Sequence, residues 1–309
     1  MKIYVVMVTY NRLSLLKKAI SALTGQTTPV SCIIVVDNHS TDGTSEYLKE
    51  LSSVSSIQVV TMQKNTGGAG GFSEGIKQAA LQGADWIWVM DDDTIPSSDA
   101  LEQMLPYTKV ERIGFIGSRV LWTDGNLHKM NLPHFSDNQT AMQKIIDKTG
   151  VDSEKFKMVD RTSFVSLLIR GNIPWEIGLP YRDFFIWGDD VEYTQRISNH
   201  RYMGVWAENS VVLHETKTNT GPSLKTIPAS AAMKVYYGIR NDSFLRRQRK
   251  GKLMFLLSQV NCFRTHAHRI KSRRLPKDEE KTLLAANNRG LWNGFFFSPQ
   301  IEFLSAKQQ

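Results

Sequence analysis

The chain has 309 residues, of which 41% are hydrophobic and 22% are charged. This composition is typical of a globular protein and excludes a disordered chain, because disorder requires far fewer apolar residues. The two cysteines, Cys32 and Cys262, exclude a disulfide framework and favour a reducing compartment. No apolar run approaches the roughly 20 residues that span a bilayer. Met1 is followed at once by a strand-like segment and not by a signal-peptide pattern, so we expect a cytoplasmic, soluble or peripheral protein.

The net charge of +8 is unevenly distributed along the chain. Ten Lys or Arg residues and no acidic residue lie between Arg246 and Arg274, which leaves a balance of −2 for the rest. The sequence therefore predicts a near-neutral body followed by a basic segment. Such a segment favours a polyanionic partner, either nucleic acid or an anionic membrane surface.

The first 95 residues alternate between apolar runs and helical periodicity. Between the runs, helices are predicted from Asn11, as the capping residue, through Leu23, and then over Ser40–Ser52 and Gly75–Gln82. The order β-α-β-α-β-α-β predicts an α/β fold with a mostly parallel sheet, whose ligands bind at the carboxyl ends of the strands. The predicted buried strands are Ile3–Val8, Cys32–Val36, Ile57–Met62 and Trp86–Met90.

The pattern after residue 95 is less regular. Strands are predicted at Ile113–Leu121 and Ser163–Ile169, and residues 124–160 are predicted to form an irregular polar loop. The later elements are all predicted helices: Val191–Ser198, Ala229–Arg247 and Leu253–Phe263.

A triple carboxylate, Asp91–Asp93, directly follows the fourth predicted strand. Adjacent carboxylates repel one another, and a shared cation relieves that repulsion. In an extended chain residues 91 and 93 point to the same side, so both can hold one ion. A solvated acidic turn is the alternative, but the end of a buried strand favours a metal. His214 follows an apolar run and is either structural or the ligand that completes a site suited to Mn²⁺ or Mg²⁺.

Two further segments have polar or glycine-rich patterns with open interpretations. Lys64–Phe72 joins a strand to a helix, and its glycines allow backbone amides to approach a phosphate or sugar, or else form a flexible linker. Its spacing fits neither a Walker loop nor a dinucleotide fingerprint. Asp189 and Asp190 precede a predicted helix. They are interpreted either as a carboxylate base beside a bound substrate or as a cap of that helix.

Taken together, these segments resemble family 2 of the inverting glycosyltransferases, which have the nucleotide-sugar-binding GT-A fold. The similarity covers roughly residues 3–215. The segment Asn65–Phe72, with the triple Asp, looks like that of the galactofuranosyltransferases. Tyr236–Asn241 resembles an element that galactofuranosyltransferases and rhamnosyltransferases share, so it does not distinguish the two groups. The matching motifs, in the family's order, are Val8–Arg12, Val35–Thr44, Asp91–Asp93 and Phe184–Glu192.

The resemblance implies a role for each matching position. Asp190 is the expected catalytic base, Asp189 orients substrate hydroxyls, and Trp187 stacks on the acceptor sugar. Trp175 is a second stacking candidate, for which core packing is the alternative. The implied metal ligands are Asp91, Asp93 and His214. The implied nucleotide-sugar-binding residues are Thr9, Asn11, Asp37, Asn38, Lys64, Asn65, Gly68, Asp92 and Arg240.

The resemblance also implies the reaction and the organisation of the chain. Galactofuranose is expected to move from UDP-galactofuranose to a glycan or polyprenyl-diphosphate-linked acceptor in bacterial surface polysaccharide synthesis, by metal-assisted direct displacement. Rhamnosyl transfer from dTDP-rhamnose is the alternative. A catalytic domain is expected over residues 1–225, with a nucleotide-binding half to about residue 95 and an acceptor half over 96–225. A helical basic extension follows over 226–309.

The basic extension has its own predicted partner. A basic amphipathic segment can lie in a membrane interface without spanning it, so we expect peripheral association with the anionic inner face of the cell membrane. Packing on the catalytic domain and a homo-oligomer interface are the alternatives. An RNA-binding α/β protein is the rival class, but no RNA-binding signature is apparent and carboxylate clusters repel phosphates in the absence of a metal, so no nucleic-acid partner is expected.

Overall fold

A computed structural model describes residues 1–221 and 223–305. Contacts within the chain divide it into two units. The first comprises Met1–Arg182, Asp190–Thr220 and the residues from Ile301 on, and the second comprises Asp183–Asp189 and Gly221–Gln300. The domain boundary near residue 225 stays a prediction.

Within the described residues, ten strands form one sheet in the first unit, in the order β3-β2-β1-β4-β9-β6-β10-β8-β7, with β5 paired to β10. The strands β1 to β4 are parallel to one another, and β6 is parallel to β10. The strand β9 lies antiparallel between β4 and β6. The strands are β1 (Ile3–Thr9), β2 (Cys32–Asp37), β3 (Ile57–Thr61), β4 (Trp86–Asp91), β5 (Thr94–Pro96), β6 (Ile113–Leu121), β7 (His134–Phe135), β8 (Phe156–Arg161), β9 (Leu167–Arg170) and β10 (Met203–His214).

Both faces of the parallel half of the sheet are covered. Val5 and Met7 of β1 join one apolar cluster, whereas Val6 and Val8 join a second cluster on the other face. Successive side chains of a strand point to opposite faces, so a strand that is buried on both sides must be apolar at every position. This explains the continuous apolar runs, and the α/β prediction is confirmed.

Helices cover the sheet in the first unit and make up most of the second. Those of the first unit are α1 (Leu13–Thr24), α2 (Thr44–Leu51), α3 (Gly67–Leu81), α4 (Ala100–Thr108), α5 (Gln139–Thr149), α6 (Ile173–Ile177) and α7 (Asp189–Asn199), whose first residue belongs to the second unit. Those of the second unit are α8 (Ala232–Arg249), α9 (Lys252–Lys271) and α10 (Lys277–Phe296).

Two helix starts differ from the predictions. Asn11 does not cap α1, because its backbone is left-handed at φ 54° and its Oδ1 accepts a hydrogen bond from the amide of Thr41. The helix α3 begins at Gly67 and not at Gly75, so the glycine-rich segment is itself helical. Gly71 and Gly75 lie against Val8 and Val6 of β1, where a Cβ would collide with the valine side chains.

The expected loop over residues 124–160 was wrong, because this region contains β7, α5 and β8. Its apolar signal is weak because α5 buries little beyond Ala141 and Ile145. The predicted strand at Ser163–Ile169 begins only at Leu167, since Ser166 has a left-handed backbone at φ 59°. The helix α10 lies in the extension that was predicted to be helical, although no periodic segment had been identified over its residues. No helix in the described part of the chain is long and apolar enough to cross a membrane.

Candidate active site

The site is built at the carboxyl ends of three neighbouring parallel strands. In the pairing of β1 with β2, Thr9 lies opposite Asp37, and in the pairing of β1 with β4, Val8 lies opposite Asp91. Adjacent strands lie about 4.8 Å apart. The polar residues that end these strands are therefore neighbours at the edge where ligands of such sheets bind.

Asp91, Asp93 and His214 form a group whose ligand atoms all lie within 4.8 Å of one another. We had expected an extended chain through the acidic triplet, but the structure differs. It turns after Asp91, and the next strand begins at Thr94, which pairs with His214 at the end of β10. This turn and the β5–β10 pairing bring the histidine to the carboxylates across more than a hundred residues of sequence.

The orientation of His214 is fixed by Asn131. Nδ1 of the histidine lies 2.8 Å from Oδ1 of Asn131, and the Nδ2 of this asparagine donates to Oγ of Ser163 at 3.0 Å. Because an amide oxygen only accepts hydrogen bonds, Nδ1 carries a proton, and Nε2 is the nitrogen whose lone pair is available to a metal when the ring is neutral. That nitrogen lies 3.1 Å from Oδ1 of Asp93. Such hydrogen bonding of the second ring nitrogen is typical of metal-binding histidines.

The side chains present fit a divalent cation. Oδ1 of Asp93 is buried and has no hydrogen-bond partner among the described residues, because its approach to Nε2 of His214 lies outside hydrogen-bond geometry. Two carboxylates and an imidazole form a mixed oxygen and nitrogen donor set that suits Mn²⁺ and also accepts Mg²⁺. Asp91, Asp93 and His214 are therefore the residues that could hold the metal.

The electrostatics of the acidic triplet are those of a crowded, buried group. Burial raises the pKa of Asp91, and the neighbouring Asp93 raises it further. Burial also raises the pKa of Asp92 to about 6 against the opposing charge of Arg12. Burial alone would raise the pKa of Asp93, but the positive charges of His214 in its protonated form and of Arg12 outweigh it and hold that pKa below its ordinary value. A bound cation would favour the charged form of all three carboxylates.

Asp92 is held inside the protein by two residues of the β1–α1 connection. Oγ1 of Thr9 donates to Oδ2 of Asp92 at 2.7 Å, and Nη1 of Arg12 lies 3.1 Å from Oδ1. The same Nη1 lies 2.5 Å from Oδ2 of Asp93. No role had been predicted for Arg12, although it directly follows Asn11 in the first motif. The arginine fixes both carboxylates and offsets part of their charge.

The end of β2 is tied to the start of α3. Asp37 is fully buried, and its carboxylate accepts hydrogen bonds from the amide of Ser40 at 2.9 Å and from Oγ of Ser45 at 2.5 Å. The side chain of Asn38 accepts from the amide of Thr66 at 2.9 Å and donates to the carbonyl of Gly67 at 2.8 Å. Both residues thus order the loops around the expected nucleotide pocket, and direct contact with a nucleotide stays a prediction.

The first turn of α3 leaves space for a ligand. A Cβ at Gly68 would meet no atom within 4 Å, in contrast to Gly70, Gly71 and Gly75. Lys64 is exposed just before this turn, and Oδ1 of Asn65 accepts a hydrogen bond from the amide of Gly67. Close approach of a sugar phosphate to the backbone is therefore sterically possible at Gly68.

The second acidic cluster follows a segment with unusual backbone geometry. Phe185 and Trp187 have left-handed φ values of 64° and 66°, followed by Gly188 at 95°. Non-glycine residues adopt this conformation at a cost and mostly at functional sites. Asp189 is buried and Asp190 is half-buried, both in the first turn of α7.

Arg240 lies in the second unit and is committed to structural contacts. Its guanidinium donates to the carbonyls of Asp183 and Phe184 and to Oδ1 of Asn241. The side chain of Asn241 in turn donates to the carbonyl of Trp187 at 2.9 Å. Arg240 and Asn241 thus support the backbone that precedes Asp189, and contact of Arg240 with phosphate stays a prediction.

Trp175, the second candidate for stacking on the acceptor sugar, has 36% of its surface exposed.

Sequence reasoning also missed His128 and Asn131. The ring of His128 packs on that of His214 at a centroid separation of 4.6 Å, and its Nε2 lies 2.8 Å from Oγ1 of Thr216. Burial lowers the pKa of His128 to about 4, so its ring is neutral. Both residues lie in the region that was predicted to be irregular, where no periodic signal points to them.

Comparison with solved structures identifies the class of fold. The described fold resembles S. aureus TarS, residues 1–349 in complex with UDP, at 14% identity and a TM-score of 0.53, covering 96% of this chain and 73% of that one. It resembles GalNAc-T7 with UDP, GalNAc and Mn²⁺ at 16% identity and a TM-score of 0.58, covering 76% and 48%. At these identities the similarity shows the fold alone, which is GT-A, as expected.

The sequence itself shows the family. Residues 4–171, more than half of the chain, match the family model described as Glycosyl transferase family 2, and the chain belongs to this family. It is 40% identical to galactofuranosyltransferase GlfT1 of Mycobacterium tuberculosis over 94 residues, which are 29% of this chain and 30% of that protein. It is 25% identical to glycosyltransferase AglE of Haloferax volcanii over 216 residues, which are 69% and 66% of the two chains.

Proposed function

We propose that this chain transfers a sugar from a nucleotide diphosphate sugar to an acceptor hydroxyl, with inversion at the anomeric carbon. The observation that carries this proposal is the group formed by the half-buried Asp91 with the buried Asp93 and His214, whose histidine is oriented by Asn131. We assign the group to Mn²⁺ or Mg²⁺. When bound, such an ion supplies positive charge that stabilises the diphosphate leaving group.

The carboxylates at the metal-binding end of the site are already positioned by neighbouring side chains. Thr9 and Arg12 hold Asp92 and Asp93 in place, so the carboxylates need little rearrangement when substrate binds. The open space at Gly68 and the exposed Lys64 support binding of the sugar phosphate at the start of α3. We assign Asn11, Asp37, Asn38 and Asn65 to the surrounding nucleotide pocket.

We assign the proton transfer to Asp190. Its carboxylate accepts the proton of the acceptor hydroxyl, whose oxygen attacks the anomeric carbon. The nucleotide diphosphate departs from the opposite face, so the configuration inverts. Asp189 orients the substrate hydroxyls and Trp187 packs on the acceptor. The half-buried position of Asp190 in the first turn of α7 favours this assignment.

We propose UDP-galactofuranose as the donor. The support is the name of the relative that is 40% identical over part of the chain, together with the glycine-rich start of α3. The proposed acceptor is a glycan or a polyprenyl-diphosphate-linked sugar of a bacterial surface polysaccharide, which would place the protein at the inner face of the cell membrane.

A panel of nucleotide sugars tests the donor. We expect release of UDP from UDP-galactofuranose by the wild-type protein and not by Asp190→Asn. The matched control is Asp147→Asn, because Asp147 is exposed on α5 and its substitution should leave turnover unchanged. Turnover of dTDP-rhamnose without turnover of UDP-galactofuranose would contradict the assigned donor. Stabilisation by RNA, with none by UDP and Mn²⁺, would contradict the reaction class.

A further inference from the structure

The second unit exposes a set of large apolar side chains on two helices. On α9, Leu253 and Leu257 have 70% and 57% of their surface exposed, and on α10, Trp292 and Phe296 have 65% and 71% exposed. Exposed apolar patches of this kind usually mark an interaction surface. We call the set of Leu253, Leu256, Leu257, Trp292 and Phe296 the apolar helix end.

Side-chain contacts place these residues at one end of an antiparallel helix pair. The ring of Phe255, in the first turn of α9, lies 5.1 Å from that of Phe295, in the last turn of α10. Further along, Nε2 of Gln259 donates to the carbonyl of Leu291, and Nδ1 of His266 lies 2.8 Å from Oδ1 of Asn287. The start of α9 therefore lies beside the end of α10.

The buried and exposed faces of α9 are clearly separated. Phe255, Gln259 and Ile270 are buried on one side, and Leu253, Leu257 and Val260 are exposed on the other. Arg264 follows Val260 by four residues and so continues the exposed stripe with a positive charge. The exposed face of α9 is apolar over its first turns and basic beyond them.

Three cations that have no ion pair with any residue in the described part of the chain border the apolar helix end. Arg249, Lys250 and Lys252 lie at the α8–α9 connection and are exposed. Arg246 and Arg247 do not join them, although both belong to the same basic run of the sequence. Arg246 pairs with Asp242 and binds Gln259, and Arg247 donates to the carbonyls of Gly294, Phe295 and Phe297 at the end of α10.

The second basic cluster lies elsewhere. Arg269, Lys271 and Arg274 are exposed near the C-terminal end of α9, which has 20 residues. At about 1.5 Å per residue, this end is about 30 Å from the start of the helix. The apolar residues and the first three cations thus form one amphipathic surface, from which the second cluster is separate.

We infer that the apolar helix end inserts into the interface of an anionic lipid bilayer while Arg249, Lys250 and Lys252 contact the phosphate headgroups. Protein segments that lie at membrane interfaces typically combine Trp and Phe with Lys and Arg. A second copy of the chain fits less well, because a twofold contact at this surface would bring the two sets of cations together. The inference is independent of the proposed sugar transfer.

Vesicle co-sedimentation of the full chain tests the inference without any substrate. We expect binding to vesicles of phosphatidylcholine and phosphatidylglycerol at low salt, weaker binding at high salt, and little binding to phosphatidylcholine alone. The triple variant Leu253→Gln, Leu257→Gln, Trp292→Gln should lose binding at least about tenfold, because each of these side chains contributes buried apolar area. The matched control Leu81→Gln, at an exposed position in α3, should bind like the wild type.

The charge variants locate the surface. Each cation near an anionic membrane strengthens binding about fivefold, so replacing Arg249, Lys250 and Lys252 with Gln should weaken binding strongly. Replacing Arg269, Lys271 and Arg274 removes the same charge and should have the smaller effect. Equal effects of the two triple variants, unchanged binding of the apolar variant, or failure of the wild type to sediment would overturn the inference. So would a wild-type dimer that the apolar variant converts to a monomer without loss of vesicle binding.

Discussion

The two acidic clusters of this chain are built in different ways. Asp91–Asp93 lie at the end of a buried strand, where Thr9 and Arg12 hold Asp92 and Asp93, and the oriented His214 lies beside Asp93. Asp189 and Asp190 begin a helix after a segment with left-handed backbone. The first cluster is held by side chains from other elements, and we propose that the second supplies the catalytic base. Substitutions in the first should therefore change ligand binding, and substitutions in the second should change turnover.

The largest effect is expected at the second cluster. Asp190→Asn keeps the shape of the side chain but removes its basicity, and loss of a general base typically lowers turnover about 10²- to 10⁴-fold. Single-turnover kinetics should show this loss, while calorimetry should show unchanged binding of UDP with Mn²⁺. A variant Asp189→Asn that loses turnover, while Asp190→Asn remains near normal, would assign the base to the other carboxylate.

The scaffold of the first cluster can be tested through α3. Gly75→Ala places a methyl group against Val6 of β1, and overpacking of a core costs about 1–3 kcal/mol of unfolding free energy. Gly68→Ala is the matched control, since no atom lies within 4 Å of its added Cβ. Urea denaturation should show destabilisation of the first variant only, and UDP-sugar binding should weaken in the second. Equal stability of the two variants would contradict the close packing.

A smaller effect is expected from the partner of His214. Asn131→Ala removes the acceptor that orients the imidazole, and loss of such a partner typically lowers metal affinity about 10- to 100-fold. Ser163→Ala is the control, because it removes the other hydrogen bond of Asn131 and leaves the contact with His214. Titration with Mn²⁺ compares the metal affinities of the two variants and the wild type. Similar affinities for Asn131→Ala and the wild type would show that His214 needs no such orientation.

The part of the site that could be predicted lies at the ends of β1, β2 and β4. These strands are buried on both faces, so their continuous apolar runs mark their ends, and polar residues directly after each run identify the binding edge. The same logic found His214, because β10 ends there.

Other features depend on tertiary contacts that leave no periodic signal. Glycine is a poor helix former, so the start of α3 at Gly67 was not predicted, whereas the close packing of Gly71 and Gly75 on β1 selects glycine there. Asn131 lies between short elements at the edge of the sheet, and its role exists only because β10 passes beside it.

Metal binding by Asp91, Asp93 and His214 is the central claim, and Mn²⁺ titration in the presence of UDP tests it most directly. Calorimetry or electron paramagnetic resonance should show one site in the wild-type protein and in the Asp147→Asn control. Asp93→Ala should lose this site, because it removes the buried oxygen that lacks a partner within the described chain. Unchanged Mn²⁺ affinity of Asp93→Ala, together with full sugar transfer in excess chelator, would contradict the account.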